Sequence, residues 1–165
     1  MLNSVFLMLG SNLGDRAGYL SLAREMISRE IGKISGVSSV YESVPWGFSH
    51  DNNFLNQCLV IDSQLSAEEI LLRNQEIETA LGKDHSGSRY VARVIDIDIL
   101  FYNDEIINLP GLVVPHAAMH LRRFVLLPLA EIAPDFVHPA LKKTVTRLLE
   151  ECLDRLDVTK LDTLA

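Results

Sequence analysis

This sequence predicts an α+β fold: a mainly antiparallel sheet with two helices on one face and additional helices toward the C-terminus. Three observations predict it. Strand-length apolar runs alternate with longer stretches of helical period, in the order strand, helix, strand, strand, helix, strand. The helical stretches carry their own punctuation: Asp15 before the first, Ser66-Ala67-Glu68-Glu69 before the second, and Gly32 and Gly82 behind them. No repeat, low-complexity tract or linker divides the 165 residues, so residues 1–165 read as one domain.

In chain order, Val5-Phe6-Leu7-Met8-Leu9 is a buried strand running into the turn-forming Gly10-Ser11-Asn12-Leu13-Gly14. Asp15 caps a helix whose Tyr19, Leu20, Ala23, Met26, Ile27 and Ile31 recur at helical spacing. Val37 to Tyr41 is the second strand. Ser43 to Asn53, with Pro45-Trp46-Gly47-Phe48 inside it, is long for a connection, and loops of that length tend to carry function. Phe54 to Ile61 is the third strand. A capping box starts the second helix at Ala67, with Ile70, Ile77 and Leu81 as its stripe. The polar loop Lys83 to Ala92 leads to a fourth strand from Val94, and Asn103-Asp104 can turn it back into a short strand at Glu105-Ile106-Ile107. Leu121 to Glu131 is helical, with Pro128 placed to break or kink it, and Thr144 to Leu153 is a last amphipathic helix. The β-α-β-β-α-β order is that of a ferredoxin-like split βαβ core.

The hydrophobic share of 48% and charged share of 22% are those of a soluble globule, and no run approaches the roughly 18 apolar residues of a membrane span. A net charge of −7 argues against a broad grip on nucleic acid or anionic membrane, so a phosphate site has to be a local basic cluster. Cys58 and Cys152 are too few for a disulfide scaffold and suit a reduced compartment. The expectation is a soluble cytoplasmic protein; with no exposed apolar helix face standing out, it is also a monomer.

The chemistry concentrates on the fourth strand. Alternation puts Ile95, Ile97 and Ile99 on one face and Asp96 and Asp98 on the other. Two carboxylates roughly 6–7 Å apart repel unless a cation lies between them, and Mg²⁺ takes such oxygens together with substrate phosphates. The plain alternative is a wet strand face with a salt bridge to Arg93. Lys83, His85, Arg89 and Arg93 lie within eleven residues just upstream, and arginine with a metal is the equipment of phosphoryl transfer. Glu78 is a third acid for this site or a solvated helix residue. Gly10 to Gly14 matches neither a P-loop nor a dinucleotide fingerprint. His116 and His120 share a helical face if that segment is helical, but zinc lacks a third ligand, and a contact to phosphate or ribose beside Arg122 suits them better. Phe54 and Asn56 share a strand face, where a flat heterocycle can stack on one and hydrogen-bond to the other. Cys58, mid-strand, reads as a core residue.

The chain resembles the 6-hydroxymethyl-7,8-dihydropterin pyrophosphokinases of folate biosynthesis. Five segments carry the resemblance in order: Leu9 to Asp15, Phe54-Leu55-Asn56, Arg93 to Leu100, Val114-Pro115-His116, and Met119 to Pro134. The resemblance implies transfer of diphosphate from ATP to the pterin hydroxymethyl oxygen with release of AMP. It implies two Mg²⁺ ions on Asp96 and Asp98, and Lys83 and Arg93 as mobile cations that stabilise charge on the transferred group. It assigns Gln75, Glu78, Arg89, Arg93, Ile99, His116 and Arg122 to ATP, and Ser43, Val44, Trp46, Phe54, Asn56 and Phe124 to the pterin. Both flanking loops, Ser43–Asn53 and Lys83–Ala92, are expected to close over substrates as lids. Lys83 and His85 stand where arginines are usual, Tyr90-Val91-Ala92 replaces a Trp-Gly-Pro-like run, Ala117 often aligns with an aromatic or proline, and Gly111 and Val113 lack polar side chains that some members use toward ATP. Lysine matches phosphate less well than arginine, so looser ATP binding is expected. The competing readings are a non-catalytic nucleotide or pterin-binding module and a nucleotidyltransferase.

Overall fold

The computed structural model describes residues 1–47, 52–82 and 94–162. They form β1 (Asn3–Ser11), α1 (Arg16–Glu30), β2 (Lys33–Val37), β3 (Val40–Ser43), β4 (Phe54–Ser63), α2 (Ala67–Ala80) and β5 (Asp96–Tyr102). The hairpin β6 (Ile107–Leu109) and β7 (Leu112–Val114), a 3₁₀ turn at Met119–Leu121, α3 (Arg123–Ile132), α4 (Val145–Glu151) and β8 (Val158–Leu161) follow. The main sheet runs β5-β1-β4-β3-β8, with β2 also on β4, and every pairing in it is antiparallel. No helix of the described residues is long and apolar enough to cross a membrane.

Alternation along the strands divides the core between two faces. Val5, Leu7 and Leu9 of β1, Leu55, Leu59 and Ile61 of β4, Ile95 just before β5 and Ile97 and Ile99 within it pack with Leu20, Ala23 and Ile27 of α1 and Ile70 and Ile77 of α2. Phe6 and Met8, Cys58, Leu100 and Phe101 face the other way, against Val125 and Leu129 of α3. The β1–β5 register slips at Phe6/Leu7, where Phe6 lies opposite Phe101 and Leu7 opposite Ile99. A one-residue bulge reverses the alternation beyond it, so Leu100 and Phe101 both join the α3 face and Tyr102 returns to the other.

The expected caps form. Asp15 Oδ1 accepts from Gly18 N–H at 3.1 Å, and Ser66 and Glu69 make a reciprocal capping box. Gly82, at φ +105°, ends α2 in a backbone conformation that suits glycine. A Cβ on Gly32 would meet the Asp62 carbonyl oxygen at 2.2 Å, backbone against backbone. Gly32→Ala is therefore expected to destabilise the fold by about 1–3 kcal/mol, read as a lower midpoint in chemical denaturation.

Four local readings need correction. Val37 to Tyr41 is not one strand: Ser38 Oγ accepts the Cys58 N–H at 2.9 Å, a bond that would otherwise go to a strand carbonyl, and the chain breaks there into β2 and β3. The segment after Asn103 does not pair back on β5; Pro110-Gly111, with Gly111 at φ +78°, turns Ile107–Leu109 onto Leu112–Val114 instead. Pro128 neither breaks α3 nor ends it; burial of Val125, Leu126 and Leu129 outweighs the hydrogen bond it removes. The last helix is shorter than its apolar pattern and is followed by β8, which pairs with β3.

Candidate active site

α3 covers only part of its face of the sheet. Among the described residues, the part it does not reach is the end where β1 finishes and β4 and β5 begin. Register places Asp96 opposite Gly10, Gly10 opposite Asn56, and Asn56 opposite Tyr41, in one row across four strands. One step down, Asp98 lies opposite Met8 and Met8 opposite Cys58, at the edge of the α3 core. Both aspartates are half-buried on the face opposite Ile97, as the alternation requires. Gly10 is the gap in the row. It places no side chain between Asp96 and Asn56, whose backbones are two inter-strand spacings, roughly 9–10 Å, apart. A Cβ there would come within 3.4 Å of Asn56 Oδ1 and 3.7 Å of the Phe54 ring.

Asn56 is held in one orientation. Its Nδ2 donates to Ser43 Oγ at 2.8 Å and to the Tyr41 carbonyl at 3.4 Å, while the residue is 2% exposed. Its Oδ1 points toward the space above Gly10 and is the acceptor left for a ligand. Tyr41 is itself fixed by Glu131 of α3, which accepts its hydroxyl at 2.6 Å and the Ser39 N–H at 2.9 Å. These bonds hold the Glu131 carboxyl below its usual range despite its burial, and burial beside that carboxylate pushes the Tyr41 hydroxyl far up.

The other wall comes from the chain around α3. The Arg122 guanidinium lies 4.6 Å over the Trp46 ring and 5.8 Å from that of Phe124. Arg122, assigned to ATP by the sequence resemblance, thus sits between two of the residues assigned to the pterin. His116 stands at the acid pair, its Nε2 3.9 Å from Asp98 Oδ2. Its Nδ1 accepts from Ala118 N–H, and the His116 backbone N–H donates to the Leu100 carbonyl, which holds the residue against β5. His120 does not share a helix face with it, because only a 3₁₀ turn follows.

The remaining candidates scatter. Glu78 is buried, not solvated, and its Oε2 accepts the Ile97 N–H at 2.8 Å. Ile99 lies on the helix-covered face with Ile97. Gln75 is exposed on α2 and lines an outer groove with Leu72, Glu76, Thr79 and Ala80. Val44 is half-buried, next to Ser43. Lys83, His85, Arg89 and Arg93 lie outside the described residues, as do the whole of the expected Lys83–Ala92 lid and residues 48–51 of the other. Gly10 and Tyr41 were missed as site residues. A glycine continuing a strand pattern hints at close approach of a ligand, whereas nothing local marks Tyr41.

Two hard-oxygen acids, a fixed amide and an aromatic wall thus lie at one end of an antiparallel sheet, a donor set suited to a small phosphate-bearing ligand. A family model described as 7,8-dihydro-6-hydroxymethylpterin-pyrophosphokinase matches residues 6–134. The chain belongs to that family. It is 40% identical over 148 residues to a 2-amino-4-hydroxy-6-hydroxymethyldihydropteridine pyrophosphokinase of Aquifex aeolicus, covering 90% of this chain and 91% of that one. A Bacillus subtilis protein of the same name is 41% identical over 133 residues, covering 80% and 79%. Among solved structures, a Plasmodium falciparum HPPK-DHPS aligns with 92% of this chain at TM-score 0.75 and 19% identity, a likeness of fold. This chain spans 42% of that protein's length.

Proposed function

We propose that this protein transfers diphosphate from ATP to the hydroxymethyl oxygen of 6-hydroxymethyl-7,8-dihydropterin, releasing AMP, in tetrahydrofolate biosynthesis. The observation that carries the reading is the Asp96–Gly10–Asn56 row: an acid pair and an oriented amide acceptor share one face across an empty position. A pterin ring presenting an N–H to Asn56 Oδ1, flanked by Phe54 and Phe124, directs its exocyclic arm over Gly10 toward Asp96 and Asp98. Ser43, Val44 and Trp46 complete that pocket.

The donor set fits magnesium: two half-exposed carboxylates supply hard oxygens, and substrate phosphates would complete the coordination. We assign two ions to Asp96 and Asp98; bound there, they neutralise charge on the phosphates. His116 beside Asp98, with Arg122, Arg89, Gln75, Glu78 and Ile99, is assigned to ATP. Lys83 and Arg93 are assigned as the cations that accompany the transferred group. Positioning and charge stabilisation carry the catalysis, with no covalent intermediate. The same reading takes the main sheet and its helices as one ferredoxin-like catalytic domain, cytoplasmic and monomeric.

Following ATP by chromatography tests this directly. AMP should form only when both Mg²⁺ and the hydroxymethyl pterin are present. Pyrophosphate release would favour a nucleotidyltransferase, and ligand binding without AMP a non-catalytic module.

A further inference from the structure

The segment after α4 lies beyond the residues that the family model matches, yet it reaches both walls of the pocket. Asp154 Oδ2 accepts the Arg123 N–H at 3.0 Å, capping α3, whose own Arg122 makes no side-chain cap. Asp154 Oδ1 accepts the Leu156 N–H at 3.0 Å, so both carboxylate oxygens are committed. Three residues on, the Asp157 carbonyl accepts the Val44 N–H at 3.3 Å, and β8 then pairs with β3, Val158 opposite Ser43. One short stretch thus joins the first turn of α3, which carries Phe124, to the end of β3 at Ser43 and to Val44 just beyond it. The two walls meet where Arg122 lies over Trp46. β8 adds little to the core: Leu161 packs against its edge and Val158 is half-buried, while Thr159 and Lys160 are exposed.

We propose that residues 154–161 are a clamp that sets the width of the pterin pocket, with Asp154 as its positioning residue. A carboxylate at a helix N-terminus is favoured by both the free N–H groups and the helix dipole, so Asp154 fixes where α3 begins and hence where Arg122 and Phe124 stand. β8 fixes where β3 ends, and hence Ser43 and the amide of Asn56. The inference rests on the reading that these two walls hold the pterin.

Steady-state kinetics of the full-length protein tests both, with a thermal melt of each variant. Asp154→Ala should raise the KM for the hydroxymethyl pterin about five- to tenfold, the scale of one lost N-cap, with kcat within about twofold and a smaller rise in the KM for ATP, to which Arg122 is assigned. Asp154→Asn, whose oxygen still accepts from Arg123, should recover most of the loss. The fluorescence of Trp46, the only tryptophan, should shift in Asp154→Ala without ligand as Arg122 leaves the ring. An unchanged pterin KM in Asp154→Ala, alongside a raised one in Asn56→Ala, overturns the clamp and spares the pocket. An unchanged pterin KM in Asn56→Ala overturns the pocket and the clamp with it. Should Asp154→Ala not fold, Val158→Pro, which disturbs β8 opposite Ser43, must show the same selective rise in pterin KM or the clamp is rejected.

Discussion

Asp96→Asn and Asp98→Asn should each cut AMP formation by at least about 10³-fold while the protein stays folded. Asparagine keeps the size and removes the charge, so the loss isolates the electrostatic role from packing. Both acids lie half-buried at the start of β5, the edge strand of the sheet, with the core of that strand provided by Ile97, Ile99, Leu100 and Phe101. Unfolding is therefore not the expected cause of inactivity. A second reading comes from melting curves: added Mg²⁺ with an ATP analogue should raise the wild-type midpoint and leave that of Asp98→Asn nearly unmoved. Turnover within tenfold of wild type in either variant would remove the acid pair from the mechanism.

Gly10→Val should lower kcat/KM for the pterin about a hundredfold, and Gly10→Ala far less. A single Cβ meets Asn56 Oδ1 and the Phe54 ring at ordinary contact distances, so alanine fits. Valine's two methyl groups extend into the space that the reading gives to the pterin arm, and misplacing a reacting group by about 1 Å can cost that factor. β1 continues through this position and pairs on both sides, so valine, a good strand former, should leave the melting midpoint close to wild type. Equal losses in the two variants, or none in either, would mean that the row is not the substrate path.

How legible this was varied with the range of the interaction. The Asp15 cap, the Ser66–Glu69 capping box, the Gly82 stop and the Ile95/Asp96 alternation are set by residues within a few positions of each other, and all appear in the structure. The β2–β3 break was not legible, because the Ser38 hydroxyl acts only through a bond to Cys58, twenty residues away. The β6–β7 hairpin was legible and overlooked: Pro110-Gly111 is a turn signal in its own right. Within the site, strand alternation and side-chain chemistry supplied Asn56 and His116 as candidates and the resemblance supplied Ser43, but the bonds that orient them cross between strands and loops.

By itself the sequence determined the paired carboxylates and their shared face, since strand period depends only on the local backbone. It also determined, through motifs in order, the family to which the chain belongs. Tertiary structure alone decided that Asp96 and Asn56 flank an empty Gly10, that Arg122 lies over Trp46, and that Asp154 caps a helix thirty-one residues earlier in the chain. The reason is physical. Which strands become neighbours, and in what register, is settled by which faces bury together across the whole chain, and no local period records that.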